Sequence, residues 1–373
     1  AEGNNRMTDY QSNPDNTAWT GRLWKGGRFE AGAVFVENGL IREGERGEIK
    51  EAAYIMPPFF DPHIHGGWGF DFQKSRFVDL EAQLRELGVG GAVPTLMNDT
   101  LHNLEAVSRN FAEYKEKRPD SIFPFLRVEG PFISHEKKGI QPKSAIHKPG
   151  RLLREQLLSI ENIRVFTFAP EIEGADILVE EALAAGKIPS IGHNNASYRD
   201  ARPFLEKGVR HMTHFPNAMR GLHHRDIGLL GTGLLEDNLD LEMIADGIHT
   251  SPEFIRLVHR VKGPRFSIAS DMIPPACSPD GASGWSGLRL VNGALVDRNG
   301  TIAGGRSPVP EQAVLLLKLG FPIEDVVRIA CLNGRRFFGL PIPEIRDGEE
   351  ASFMVCGPDL ALRAFFLKGE RIR

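Results

Sequence analysis

The chain has 373 residues, 41% hydrophobic and 25% charged, the makeup of a globular protein long enough for one large core and a smaller appendage. A net charge of -4 supplies no basic field for nucleic acid, so any anionic ligand must meet local positive groups. Cys277, Cys331 and Cys356 are too few and too scattered for a disulfide framework or a cysteine zinc module, and no apolar run of about 18 residues offers a membrane span. The expectation is a reducing, cytoplasmic setting with neither nucleic acid nor membrane as partner.

In chain order, residues 1–18 are polar and are expected to be a disordered or vector-derived leader. Residues 19–56 read as short strands broken by Gly-rich turns, and residues 343–373 have the same texture. Both chain ends are therefore expected to build one small β-sandwich domain. Between them, over 57–342, eight apolar strand-like runs alternate with helical segments. The runs are 54–65, 88–96, 122–130, 163–171, 188–193, 209–214, 241–249 and 265–271. Helices are predicted at 77–87, 101–116, 150–160, 174–185, 197–206 and 252–261, with closing helices at 309–319 and 323–338. This alternation predicts an α/β protein with a (β/α)8 TIM-like barrel, whose typical size of about 250 residues suits the span. A β-hairpin insertion is expected around 284–304, in the last βα loop, where barrel enzymes build the walls of their pockets.

Several of these runs close on a metal-seeking side chain: His63 and His65 in FFDPHIHGG, Glu129 in FLRVEGPF, His193 in PSIGHNN and His214 in HMTHFPNAM. Side chains at the C-terminal strand ends of a barrel converge on one mouth, and neutral imidazole and carboxylate are the ligands of a catalytic zinc. His63 and His65, two apart on a strand, share a face. Glu129 stands in an apolar run, where an ionised carboxylate needs a cation. Glu129, His193 and His214 make a three-ligand set that leaves a position for water. Singly, the histidines could be hydrogen-bonded turn or core residues and Glu129 could pair with a lysine; one shared ion explains them together. The donors suit zinc, iron and other divalent ions alike; Zn2+ is expected, with Fe2+ or another divalent ion as alternatives, one or two per subunit. Asp271, ending FSIASDM, is assigned as general base and then general acid, against the plainer reading of an N-cap.

The ordered series HIHGG, VEGPF, KKG, GHNNA, THFPNAM, HHRDIG, ADGIH and SDM, from about Pro57 to Asp271, resembles the N-acetylglucosamine-6-phosphate deacetylases of the amidohydrolase superfamily. The resemblance implies a principal metal on Glu129, His193 and His214, a second on His63 and His65, and Asp271 as the acid/base. It also implies that Asn217 and Ala218 contact the sugar phosphate through side-chain amide and backbone N–H. Arg225 would reach that phosphate from the neighbouring subunit of a homodimer, and His249 would bind sugar hydroxyls in the same shared site. Arg220, His223, His224 and Arg225 cluster after the sixth run, and the planar guanidinium fork suits phosphate. This chain departs from the pattern at Ile140 and Gln141, where many relatives place a histidine to polarise the acetyl carbonyl. A Gln141 amide can donate a hydrogen bond there but carries no charge. It departs again at IAGGRSPVPE and at Arg220. The implied reaction is metal-dependent hydrolysis of the N-acetyl group of N-acetylglucosamine-6-phosphate. The alternatives are the galactosamine epimer, another N-acyl amide, or a non-catalytic barrel that binds sugar phosphate.

Overall fold

The computed structural model describes residues 17–278 and 287–373. The expected leader thus lies outside the described residues except for Thr17 and Ala18, which open a strand. Residues 284–286 of the expected hairpin also lie outside them. The chain divides into two compact units, one made of residues up to Pro58 and from Pro343 onward, the other of Phe59–Ile342.

In the first unit both chain ends contribute to one seven-stranded sheet. Thr17–Lys25 pairs antiparallel with Arg28–Glu37 and parallel with Glu48–Met56. The C-terminal strand Phe353–Cys356 then pairs antiparallel with Glu48–Met56, so the last strands of the chain complete a sheet begun by the first.

In the second unit eight strands lie in consecutive order in one sheet: β1 (Phe59–Ile64), β2 (Val89–Met97), β3 (Leu126–Phe132), β4 (Ile163–Phe168), β5 (Ile188–Ile191), β6 (His211–Met212), β7 (Asp240–Met243) and β8 (Phe266–Ile268). Each neighbouring pair from β1 to β8 is parallel. Helices alternate with the strands, as the (β/α)8 pattern requires. Between β8 and β1 the closure is different in kind. Asp271 N–H donates to the His63 carbonyl at 2.8 Å, and the Asp61 carboxylate accepts from Ser270 N–H at 3.1 Å. Asp61 is buried, and burial raises its pKa to about 7.

Local chemistry sets the helix starts. Thr100 caps Leu101–Lys117, Ser197 and Asp200 form a reciprocal capping box on Tyr198–Glu206, and Ser251 caps Pro252–Lys262 with proline in the first turn. Two helical features differ from expectation. The closing helix predicted over 323–338 is interrupted by a π-helical turn at Arg328–Leu332. A helix not predicted, Gly228–Leu235, follows β6. Its sequence GLLGTGLL has no polar face, and its glycines are packing requirements, since a Cβ on Gly233 would sit 2.4 Å from the Phe215 ring. The hairpin is present as Arg289–Val291 paired with Ala294–Val296.

Candidate metal centre

His63 lies within β1 and Glu129 within β3, while His65, His193, His214 and Asp271 follow the ends of β1, β5, β6 and β8. His193, His214 and Asp271 hold φ of 44°, 32° and 46°, a left-handed backbone that costs non-glycine residues about 1–3 kcal/mol and clusters at functional sites. The turn lets each side chain swing inward directly after its strand. Gly192 is needed before His193, because a Cβ there would lie 2.7 Å from Thr167 and 2.8 Å from Thr213.

These residues converge as two triangles that share one carboxylate. In the first, Glu129 Oε1 lies 2.6 Å from His193 Nε2 and 2.7 Å from His214 Nε2, and the two nitrogens are 3.1 Å apart. In the second, His63 Nε2 and His65 Nε2 are 3.0 Å apart and lie 3.3 and 3.2 Å from Asp271 Oδ1. Glu129 Oε2 lies 3.1 Å from His65 Nε2, so Glu129 offers one oxygen to each group. Bonds of about 2.0–2.2 Å at tetrahedral angles place ligand atoms roughly 3.3–3.6 Å apart; the second triangle lies near that spacing, while the Glu129 contacts in the first, at 2.6 and 2.7 Å, are hydrogen-bond distances that an ion would widen. Both sets fit a divalent ion.

The outer ring nitrogens explain the aim of the inner ones. His63 Nδ1 lies 2.8 Å from Glu242 Oε1, His65 Nδ1 3.0 Å from the Thr95 carbonyl, and His193 Nδ1 2.6 Å from the Lys137 carbonyl. An acceptor at Nδ1 puts the proton there and leaves Nε2 with its lone pair inward, the form a metal requires. Without an ion, the charge balance favours protons on the inner nitrogens instead. Burial alone would raise the pKa of Glu129, but the His193 charge and the bonds from three imidazoles hold it well below the usual carboxylate range. Burial works against charge on His65, yet Asp271 and Glu129 push its pKa up to about 10. Asp271 is lowered in spite of burial by His63 and His65. Among the described residues its buried Oδ1, although 3.3 and 3.2 Å from the His63 and His65 nitrogens, has no well-aligned hydrogen bond, a cost that a bound cation would relieve.

The cluster opens on a cavity of about 370 Å³ whose lining includes Gln141, Asn217, Ala218 and His249. Gln141 is buried, donates to Glu129 Oε2 at 2.6 Å and accepts from Asn98 N–H at 3.0 Å. Its amide is thereby turned to a metal ligand. Asn217 Nδ2 is buried with no hydrogen-bond partner among the described residues. His249 has both ring nitrogens engaged, by Asp246 Oδ2 and the Ala303 carbonyl. Arg225 lies outside the cavity lining, exposed beside His224. The structure thus gathers every predicted metal residue, Asp271 and four of the five predicted substrate residues, and leaves Arg225 apart.

Sequence reasoning passed over Asp61, Arg127, His211 and Glu242, all buried beneath the cluster. A signal was available for two of them. Asp61 and Arg127 stand two residues before His63 and Glu129, on the same strand face as a ligand.

A parallel barrel with a histidine- and carboxylate-lined metal centre at its strand ends is a metallohydrolase architecture, and the chain belongs to the amidohydrolase family, whose model matches residues 54–372. Among solved structures it is similar to N-acetylglucosamine-6-phosphate deacetylase from Thermotoga maritima, with 30% identity and a TM-score of 0.87 over 94% of this chain and 98% of that one. It is 27% identical to the Bos taurus N-acetylglucosamine-6-phosphate deacetylase over 94% of each chain. It is 26% identical to the N-acetylgalactosamine-6-phosphate deacetylase of Escherichia coli O157:H7 over 86% of this chain and 88% of that protein.

Proposed function

We propose that this chain hydrolyses the N-acetyl amide of N-acetylglucosamine-6-phosphate to acetate and glucosamine-6-phosphate. The observation that carries the reading is the buried Glu129 carboxylate shared by two ligand triangles, with Asp271 Oδ1 in one of them, at the floor of a cavity large enough for a sugar. The likeness to the Thermotoga maritima deacetylase, end to end in both chains, supports the gluco substrate.

Glu129, His193 and His214 would hold the principal ion, and His63, His65 and Asp271, with the second oxygen of Glu129, another; Zn2+ suits this borderline nitrogen and oxygen set. Such an ion, when bound, polarises an amide carbonyl and makes water acidic enough to attack at neutral pH. Asp271 takes the proton from the attacking water as the new C–O bond forms. It then delivers that proton to the amide nitrogen as the C–N bond breaks, so one carboxylate serves as base and then acid. Asn217, whose amide N–H has no partner among the described residues, donates to the sugar phosphate with the Ala218 backbone. Gln141 steadies Glu129 at the end of the cavity where the acetyl group is cleaved. His249 forms the wall beside the sugar, where a hydroxyl would compete with the Ala303 carbonyl for its Nε2. Arg225, exposed and outside the cavity lining within one chain, would supply phosphate contact to a second subunit of a homodimer.

The test is acetate release from the two epimeric N-acetylhexosamine 6-phosphates and from unphosphorylated N-acetylglucosamine. The gluco 6-phosphate should have the highest kcat/KM; preference for the galacto epimer, or binding without acetate, would overturn the assignment. Asp271→Asn should lose about 10²–10⁴-fold in kcat while sugar-phosphate binding persists; near-normal turnover would remove Asp271 from the role.

A further inference from the structure

Beneath the two ligand triangles lies a charged pair that neither triangle includes. Arg127 and Glu242 are both fully buried, with Arg127 Nη1 2.6 Å from Glu242 Oε2. Around them the contacts divide evenly between the two ligand sets. Glu242 Oε1 receives His63 Nδ1 at 2.8 Å and the His214 backbone N–H at 3.2 Å. Arg127 donates to the carbonyl of Pro62, next to His63, at 3.2 Å and to Thr213 Oγ1, next to His214, at 2.8 Å. Arg127 itself stands on β3 two residues before the shared ligand Glu129. One ion pair therefore touches β1, β3, β7 and the turn after β6.

We propose that Arg127 and Glu242 are positioning residues that set the occupancy of the His63–His65–Asp271 metal site. Burying a full ion pair is costly, and an apolar pair of the same volume often supports folding as well or better. What an apolar pair cannot supply is an anionic acceptor at His63 Nδ1. That acceptor fixes the ring's tautomer, points Nε2 at His65 and Asp271, and makes the imidazole a better donor to an ion. Arg127 holds the Glu242 carboxylate in the one orientation that reaches both His63 and His214, and its bonds at Pro62 and Thr213 tie the backbone of both triangles to that orientation. The asymmetry is in the side chains: His63 rests on Glu242 through its ring, whereas His214 meets Glu242 only through its backbone. Loss of the pair should consequently weaken the His63 site selectively.

This inference rests on the two-site reading of the cluster given above, and its test is separable from that of the deacetylase activity. Metal-depleted protein is titrated with Co2+ and followed by visible absorption and by bound metal per chain. The wild type should take up two ions. Glu242→Gln, and Arg127→Met with Glu242→Leu as a shape-conserving apolar pair, should keep one ion at wild-type affinity and bind the other about 10–100-fold more weakly. Glu242→Gln retains an acceptor without the charge and should fall at the milder end of that range. Both ions held at wild-type affinity in Glu242→Gln would overturn the proposal. Equal weakening of both sites would overturn its selectivity. A single Co2+ per wild-type chain would also overturn it, yet with acetate still released the deacetylase reading would stand. Should the double variant fail to fold, Glu242→Gln alone decides.

Discussion

Both ring nitrogens of His249 face acceptors, Asp246 Oδ2 at 2.7 Å and the Ala303 carbonyl at 2.8 Å, and only the doubly protonated ring satisfies both. Burial works against that charge, but the Asp246 bond and charge outweigh it and raise the pKa of His249; Asp246 is correspondingly lowered despite its own burial. The signs give a window. A raised histidine contributes stability that is complete below its unfolded pKa and fades as pH climbs through the folded value. A lowered aspartate contributes above its unfolded pKa and fails as pH falls through the folded one. The contact is therefore strongest in mildly acidic solution, where hydrogen bonds to charged groups contribute about 1.5–3 kcal/mol. Thermal melts of the wild type and His249→Gln should differ most there and converge on the alkaline side. A constant gap across the range would show that the ring is not charged. The sequence singled out His249 for the sugar; the Asp246 and Ala303 contacts were illegible because one depends on the turn geometry of ADGIH and the other comes from a segment more than fifty residues on.

At the scale of elements, strand and helix positions followed from hydrophobic alternation and capping residues, while strand ends did not. The third run was predicted over 122–130, but β3 starts at Leu126 and continues through Gly130, Pro131 and Phe132, because the loop residues before it are as apolar as the strand. The Gly228–Leu235 helix was missed for the opposite reason: its glycines disfavour a helix in isolation, and only contacts such as Gly233 against Phe215 require them. The IAGGRSP stretch, a departure from the family pattern, acquires a physical role in the fold. Gly305 N–H donates to the Asp271 carbonyl at 2.7 Å, and a Cβ on Gly305 would lie 2.0 Å from the Ser270 carbonyl oxygen. Backbone cannot yield as a flexible side chain would, so Gly305→Ala must displace the turn that carries Asp271. The expected result is a drop in kcat of at least about tenfold, since small misplacements of a catalytic group are costly, with the global melt nearly unchanged. Unaltered kcat would mean the turn tolerates the shift.

Across the whole barrel, the candidate ligands are readable in the sequence because each stands out at the end of an apolar run; of the charges beneath them, Asp61 and Arg127 carry a signal in their two-residue spacing from His63 and Glu129, whereas Glu242 interrupts its strand with nothing to say which faces meet. Only the closed sheet brings β7 under β1 and β3. The resulting interior holds three buried carboxylates kept ionised, on Glu129, Glu242 and Asp271, around the buried Arg127 guanidinium, with Asp61 raised to about 7 beside them. Such an excess of negative charge demands cations, either protons on the imidazoles or metal ions, and the two compete. His65, raised to about 10, keeps its proton at neutral pH when no ion is bound, and its contribution to stability is lost as pH rises through that value. Metal uptake must expel this proton, because an imidazole ligates in its neutral form. Calorimetric titration of the chelator-treated protein with Zn2+ in buffers of different ionisation enthalpy should therefore register proton release at neutral pH, diminishing as pH approaches about 10. The same protein should melt below the loaded form, by about 2.7 kcal/mol of stabilisation for an ion present at a hundred times its Kd. Uptake without proton release would mean that His65 is neutral before the ion arrives and that the carboxylates are balanced by some other charge.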